Sequence, residues 1–326
     1  MSPARPLTVR VVRACWEAEG VLSLRLRAIG EQPLPPWEPG AHIDVVLPSG
    51  LVRQYSLCGS PEDPDYTVAV LREQDGRGGS AEIHDTALVG RELRILGPRN
   101  QFRLEPAASY VFVAGGIGIT PLLPMIAAAS AEGVPWELHY GGRRADTLAF
   151  TGELSLLAGR SGSALRLFAD DTDGPLPLGE IVTGAPRDAM LYACGPGGML
   201  SALAEVAERE RGDLPLRFER FGKAHPEPNP SPEPEPRSSS FEVELASTGE
   251  TLTVHEGQSI LDAVREKRPD VLFSCEEGFC GTCETKVLEG SPVHRDTILS
   301  ERERARNASM MICVGGCASA RLVLDL

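Results

Sequence analysis

Cys275-Glu276-Glu277-Gly278-Phe279-Cys280-Gly281-Thr282-Cys283 crowds three thiols into one short loop, and Cys313 offers a fourth farther along. Cys-x4-Cys-x2-Cys with a distant fourth Cys is the plant-type [2Fe–2S] spacing. Two irons need four thiolates, and a tight loop brings three of them to a common centre. Gly278 and Gly281 let backbone N–H groups turn towards the sulfurs, where they stabilise the negative charge added on reduction. Tetrahedral zinc also accepts four thiolates, but structural zinc usually takes paired Cys-x2–4-Cys knuckles rather than three ligands in one loop. The spacing therefore selects Cys275, Cys280, Cys283 and Cys313 as metal ligands. Cys317 competes for the fourth place and reads better as a small packed residue.

The chain has 326 residues and a mass of 34.9 kDa, enough for two or three domains with their own cores. Acidic residues outnumber basic ones 46 to 32, a formal net charge of −14. That balance argues against nucleic acid, whose phosphates need concentrated Lys and Arg, and against an anionic membrane surface. Aromatic residues are only 5%, too few for a base-stacking platform. The N-terminal MSPARPLTVR lacks the apolar core of a signal peptide, which predicts a cytoplasmic protein. Clustered cysteines in that compartment point to metal or redox chemistry rather than disulfides. From Pro106 to Ala131 no residue is charged, a length that would span a bilayer. Gly115, Gly116, Gly118, Pro121 and Pro124 interrupt it, so a buried strand, a glycine turn and a helix start are expected instead.

HPEPNPSPEPEPRSSS carries six prolines between Pro226 and Pro236 and almost nothing to bury. It reads as an extended linker over 225–240, long enough to separate two domains by roughly 30 Å at about 3.1 Å per residue. Residues 1–104 read as short strands (LTVRVVRAC, VLSLRLRAI, HIDVVLP, VRQYSLCG, YTVAVLRE, RELRILGP) parted by Gly and Pro turns. That pattern predicts an antiparallel β-barrel. Residues 105–224 alternate strands YVFVA, ELHYGG, LRLFAD and MLYACG with helical stretches, the signature of an α/β doubly wound parallel sheet. Residues 241–326 form the last domain, with a hairpin FEVELAS/ETLTVHEG, a short helix ILDAVREK and a final strand RLVLDL.

After YVFVA comes Gly115-Gly116-Ile117-Gly118-Ile119-Thr120-Pro121. Such a turn lets a pyrophosphate approach backbone N–H groups at a helix N-terminus. Thr120 is the expected N-cap, with Pro121 in the first helical position.

Together these features resemble the phthalate dioxygenase reductase and vanillate demethylase reductase family, over essentially the whole chain. The resemblance implies a ferredoxin reductase-like FMN barrel, an NAD domain and a C-terminal β-grasp (α+β) plant-type ferredoxin domain, in that order. Arg53-Gln54-Tyr55-Ser56 matches the family's Arg-x-Tyr-Ser flavin motif. It implies an aromatic against the isoalloxazine, Ser56 near N5 and Arg53 on the flavin phosphate. Gly76-Arg77-Gly78-Gly79-Ser80 carries over as the phosphate turn through Arg77, Gly78, Gly79 and Ser80, while Ala69, Val70 and Leu71 line the ring. The turn at Gly115, Gly116, Ile117, Gly118 and Thr120 matches that of ferredoxin reductase-like proteins. Cys194-Gly195-Pro196-Gly197-Gly198-Met199 resembles the Cys-Gly-Pro turn beside nicotinamide, which brings in Cys194, Gly195, Pro196 and Met199. Cys194 reads either as a nicotinamide contact or as a buried small thiol. Phe221 takes the place of the aromatic over the flavin. Ser56, Cys194 and Phe221 are thus expected at the reacting atoms.

Arg143 and Arg144 follow ELHYGG and could pair with a 2′-phosphate, but Asp170 and Asp171 would repel one. NADH is the favoured donor, with NADPH the alternative. The implied activity is electron transfer from NADH through FMN and a [2Fe–2S] cluster to a terminal oxygenase of Rieske type, or alternatively to a cytochrome P450. A monomer is expected. Residues 241–326 hold 15 acidic and 9 basic side chains, so the acceptor is expected to dock through a basic face.

Overall fold

The computed structural model describes residues 6–326 except 31, 75, 77, 222–239, 270, 272, 274, 275, 277, 279, 280, 297, 298 and 300. Of the expectations above, Arg77, Cys275, Cys280 and nearly all of the proline-rich segment lie outside the described residues. The chain divides into two compact units, Met1–Phe221 and Gly222–Leu326.

The first unit begins with β1 (Leu7–Ala18), β2 (Val21–Ala28), β3 (Ala41–Val46), β4 (Val52–Ser56), β5 (Tyr66–Leu71), α1 (Gly79–Asp85) and β6 (Glu92–Asn100). The strands run in the order β4-β3-β6-β1-β2-β5, all neighbours antiparallel. A bridge between Leu57 and Val68 joins the two outer strands and closes the barrel. Period-2 alternation drives this: Val9, Val11, Leu24, Leu26, Ile43 and Val45 point inward and are fully buried.

The same unit continues with β7 (Ser109–Gly115), a 3-10 turn (Gly116–Gly118), α2 (Ile119–Ala131), β8 (Trp136–Gly142), α3 (Thr151–Ser161) and β9 (Ala164–Ala169). Then follow α4 (Leu178–Gly184), β10 (Ala189–Gly195), α5 (Gly197–Arg211) and β11 (Leu216–Arg220). The five strands are parallel in the order β11-β10-β7-β8-β9. Helices α2 and α3 cover one face and α4 and α5 the other. β7 and β10 are thus neighbours whose following helices leave in opposite directions, the switch point at which such sheets open a crevice. Buried Tyr192 ties the connection from the barrel down: its hydroxyl accepts from Glu105 N at 2.8 Å and donates to Arg103 O at 2.9 Å.

Thr120 does not cap α2. The glycines wind a 3-10 turn before the helix, so α2 starts at Ile119 with Gly118 as its cap, and the Thr120 hydroxyl donates to Ile117 O at 2.9 Å inside the first turn. Glycine's freedom at Gly116 (φ 53) lets the chain begin coiling earlier than the threonine signal implies.

The second unit is a mixed sheet. β12 (Phe241–Leu245) and β13 (Glu250–Val254) form the expected hairpin, α6 (Ile260–Lys267) the short helix and β14 (Glu284–Glu289) a further strand. β15 (Pro292–Val293), α7 (Glu301–Arg306), β16 (Ser309–Met311), β17 (Gly316–Cys317) and β18 (Arg321–Leu324) complete it. The order is β13-β12-β18-β14-β16, with only the β12–β18 pair parallel, and β15 pairs with β17 apart. Ser259 caps α6 in a reciprocal box with Asp262, and Ile260, Leu261, Ala263 and Val264 pack onto the sheet.

Candidate active site

In the first unit, β4 carries Arg53, Gln54, Tyr55 and Ser56 along the barrel seam, and β5 carries Ala69, Val70 and Leu71. Helix α1 closes the same end. Its cap, Gly78, has φ 81, and Ser80 Oγ accepts from Glu73 N at 3.1 Å. His84 Nε2 lies 3.0 Å from Val70 O, holding the helix on β5. A Cβ at Gly79 would stand 2.6 Å from Arg53 Nε, so the missing side chain is what lets the guanidinium lie against the turn. Burial pushes the Tyr55 hydroxyl up, against the opposing pull of Arg53. Among the described residues Gln54 Nε2 is buried without a hydrogen-bond partner. A cradle only glycine permits, a cation across it and an unpaired donor nearby suit a flavin and its phosphate.

The nicotinamide elements meet at the carboxyl ends of β7 and β10. A Cβ at Gly118 would lie 2.2 Å from Cys194 O, and one at Gly195 would lie 2.9 Å from Gly115 Cα. Pro196 and Met199 pack against Gly115 in the same way. The two turns therefore touch backbone to backbone. Ile117 and Phe150 of this layer rest on Ala18, Val21, Cys58 and Ala69 of the barrel. Arg143 follows β8 and is exposed, while Arg144 is held by Asp146, with Nε 2.9 Å from Oδ1. Asp170 and Asp171 follow β9 and bond back to the carbonyls of Gly142 and Arg143 through their backbone N–H groups. Phe221 follows β11 and is 38% exposed.

One candidate side chain was absent from the sequence-based set. Glu219 stands beside Cys194 in the β10–β11 register, and its Oε2 is 3.4 Å from Ser56 Oγ. Loss of hydration raises its carboxyl to about 8, with the Ser56 hydroxyl pulling the other way. Cys194 is fully buried, and burial, then Glu219, push its thiol well above the usual range. Both effects favour the neutral thiol over the thiolate. The only sequence clue to Glu219 was an acid inside an otherwise strand-like Phe-Glu-Arg-Phe run.

In the second unit, Cys283 precedes β14 and Cys313 follows β16, and Glu284 pairs with Met311. The two buried thiols therefore sit at the same end of adjacent strands. Gly278 and Gly281 have φ values of 76° and 71°, the left-handed turn that the loop needs. Cys317 lies on β17 against Ser319, its Sγ 2.8 Å from Ser319 O. Two buried thiols beside a glycine-bent loop suit an iron–sulfur centre. Among the described residues no group of three ligating side chains forms by itself, and no helix is long and apolar enough to cross a membrane.

Residues 243–315 match the 2Fe-2S iron-sulfur cluster binding domain. The chain is 44% identical to a putative toluene-4-sulfonate monooxygenase system reductase subunit of Comamonas testosteroni, over 100% of both chains. A solved phthalate dioxygenase reductase, described as a modular structure for electron transfer from pyridine nucleotides to [2Fe–2S], is 32% identical with a TM-score of 0.70 over 98% of each chain. The chain belongs to the phthalate dioxygenase reductase family. The reductase is also similar to part of an intact type IV self-sufficient cytochrome P450 monooxygenase, at 38% identity and a TM-score of 0.84. There it covers 98% of its own length and 41% of that chain. The barrel, parallel sheet and C-terminal iron–sulfur domain expected from the sequence are thus the family's fold, and the reductase is an oxidoreductase component of an oxygenase system.

Proposed function

We propose that this reductase accepts hydride from NADH on FMN and hands electrons through a [2Fe–2S] cluster to a Rieske-type terminal oxygenase or demethylase in the cytoplasm. The bound cofactors supply the electron chemistry; the chain's residues bind, orient and hold protons. Arg53, Arg77, Gly78, Gly79 and Ser80 hold the flavin phosphate, while Tyr55, Ala69, Val70, Leu71 and Phe221 bracket the ring. The turns at Gly115–Gly118 and Gly195–Met199 seat the dinucleotide, with Arg143 at its far end and Asp170 and Asp171 disfavouring a 2′-phosphate. Ser56 orients its hydroxyl at the reacting edge, and Glu219 holds the proton behind it. Cys275, Cys280, Cys283 and Cys313 hold the cluster.

The observation that carries this reading is the Ser56–Glu219 approach of 3.4 Å, which brings the barrel motif to the last strand of the parallel sheet. An ultraviolet–visible spectrum of the purified protein tests it: flavin bands and iron–sulfur charge-transfer bands are expected together, and absence of either ends the reading. Cys313→Ser should abolish cytochrome c reduction and leave ferricyanide reduction intact, whereas Cys317→Ser should leave both. A cytochrome P450 acceptor is the second reading, supported by the likeness to the self-sufficient monooxygenase. NADH-driven turnover with a purified Rieske oxygenase, against a P450 in parallel, decides between them.

A further inference from the structure

The segment His294-Arg295-Asp296 runs between the two arms that carry the proposed ligands. On one side it meets the three-cysteine loop: a Cβ at Gly278 would lie 3.1 Å from Asp296 Cα and 2.6 Å from Val314 Cγ2. On the other side Arg295 Nη1 donates to Val314 O at 3.4 Å, one residue past Cys313, and covers Gly316. The Asp296 side chain is 1% exposed. Its Oδ2 accepts from Leu299 N at 2.8 Å and lies 3.7 Å from Arg304 Nη2, which also donates to Asp296 O at 2.5 Å. His294 Nδ1 stands 3.7 Å from Asp296 Oδ1, and Asn307 Oδ1 lies 3.1 Å from His294 Nε2. A carboxylate buried this deeply is costly even when paired.

We propose that Asp296 and Arg304 are positioning residues for the cluster: they clasp the ligand loop at Gly278 and set how readily the centre accepts an electron. The inference rests on the ligand set Cys275, Cys280, Cys283 and Cys313. Reduction adds one negative charge to the centre, so the buried carboxylate opposes it and the guanidinium favours it. Arg304 is more exposed than Asp296, so solvent screens its influence more. Neutralising Asp296 therefore moves the reduction potential up, and neutralising Arg304 moves it down by less. A clasp with no electrical role loosens with either change and moves the potential the same way in both, or not at all.

The test uses the full-length holoprotein with Asp296→Asn, Arg304→Gln and Arg304→Lys, the cluster potential being read by potentiometric titration of its visible absorbance. Expected are an upward shift for Asp296→Asn, a smaller downward shift for Arg304→Gln, and a value near wild type for Arg304→Lys. Shifts of the same sign in the two neutralised variants, or no shift in either, overturn the inference. If Asp296→Asn loses the cluster, the Arg304 pair decides alone: Gln and Lys variants with equal potentials overturn it. A Cys313→Ser variant that keeps its cluster bands refutes the ligand set instead, so the two failures are separable.

Discussion

His42 gives the sharpest quantitative test of how the site is built. It pairs with Ser56 in the β3–β4 register and with Arg99 across β6, and it is 3% exposed. Neither ring nitrogen has a partner among the described residues. Burial, then the Arg99 charge, lowers its pKa from 6.5 to about 3. The unfolded chain takes up a proton near 6.5 that the native fold refuses, so this contribution is fully present above that pH and lost as pH falls towards 3. At about 1.36 kcal/mol per unit, the loss between pH about 7.5 and about 5 is about 2 kcal/mol, with a ceiling near about 5 kcal/mol in stronger acid. His42→Gln keeps a neutral polar group and removes the titration. Urea unfolding of the holoprotein, followed by the fluorescence of released flavin, reports on the unit that holds His42. With an m-value of about 2 kcal/mol/M, the wild-type midpoint should fall by about 1 M more than the variant's over that pH interval. Other titrating groups are common to both proteins and cancel. Equal falls in the two midpoints would falsify the claim that a neutral imidazole is locked behind Ser56.

Three further outcomes are expected. Glu219→Gln should remove a pH-dependent limb near 8 from the rate of flavin reduction by NADH in stopped flow, because the wild-type carboxyl gains its charge there; a limb that persists refutes the assignment. Gly118→Ala places a carbon 2.2 Å from a carbonyl oxygen that cannot swing away, and should cost more than about 2 kcal/mol in stability, whereas Gly79→Ala displaces only the Arg53 side chain and should weaken flavin binding with little loss of stability; equal effects on melting contradict this contrast. The 15 acidic against 9 basic residues after position 240 predict that turnover with the oxygenase falls several-fold as salt rises from about 20 to about 200 mM, and salt-insensitive turnover removes the basic docking face.

Much of the fold was legible because its signals are local. Alternation in LTVRVVRAC and VLSLRLRAI marks barrel strands, and the glycine turn after YVFVA marks a strand-to-helix crossover. Those signals need only neighbouring residues. The Thr120 reading failed because capping depends on where the backbone first coils, and the glycines before it moved that point. Glu219 was invisible for another reason: a single acid in a strand has no pattern, and its meaning comes from Ser56, which the fold supplies. His42 likewise reads as an ordinary strand residue until β4 and β6 bury it. The cysteine spacing was the opposite case, since ligand geometry imposes a fixed short-range code.

The Ser56–Glu219 contact joins positions 163 residues apart, one on a barrel strand and the other on the edge strand that ends the first unit. That has a consequence for recombination between relatives. A crossover in the connection between β6 and β7 would take Ser56 from one parent and Glu219 from another, so a hybrid can fold in both halves and still be mismatched where they meet. A crossover just beyond Phe221 transfers the whole crevice intact. The barrel and the parallel sheet therefore have to be exchanged together if the Ser56–Glu219 pair is to stay matched.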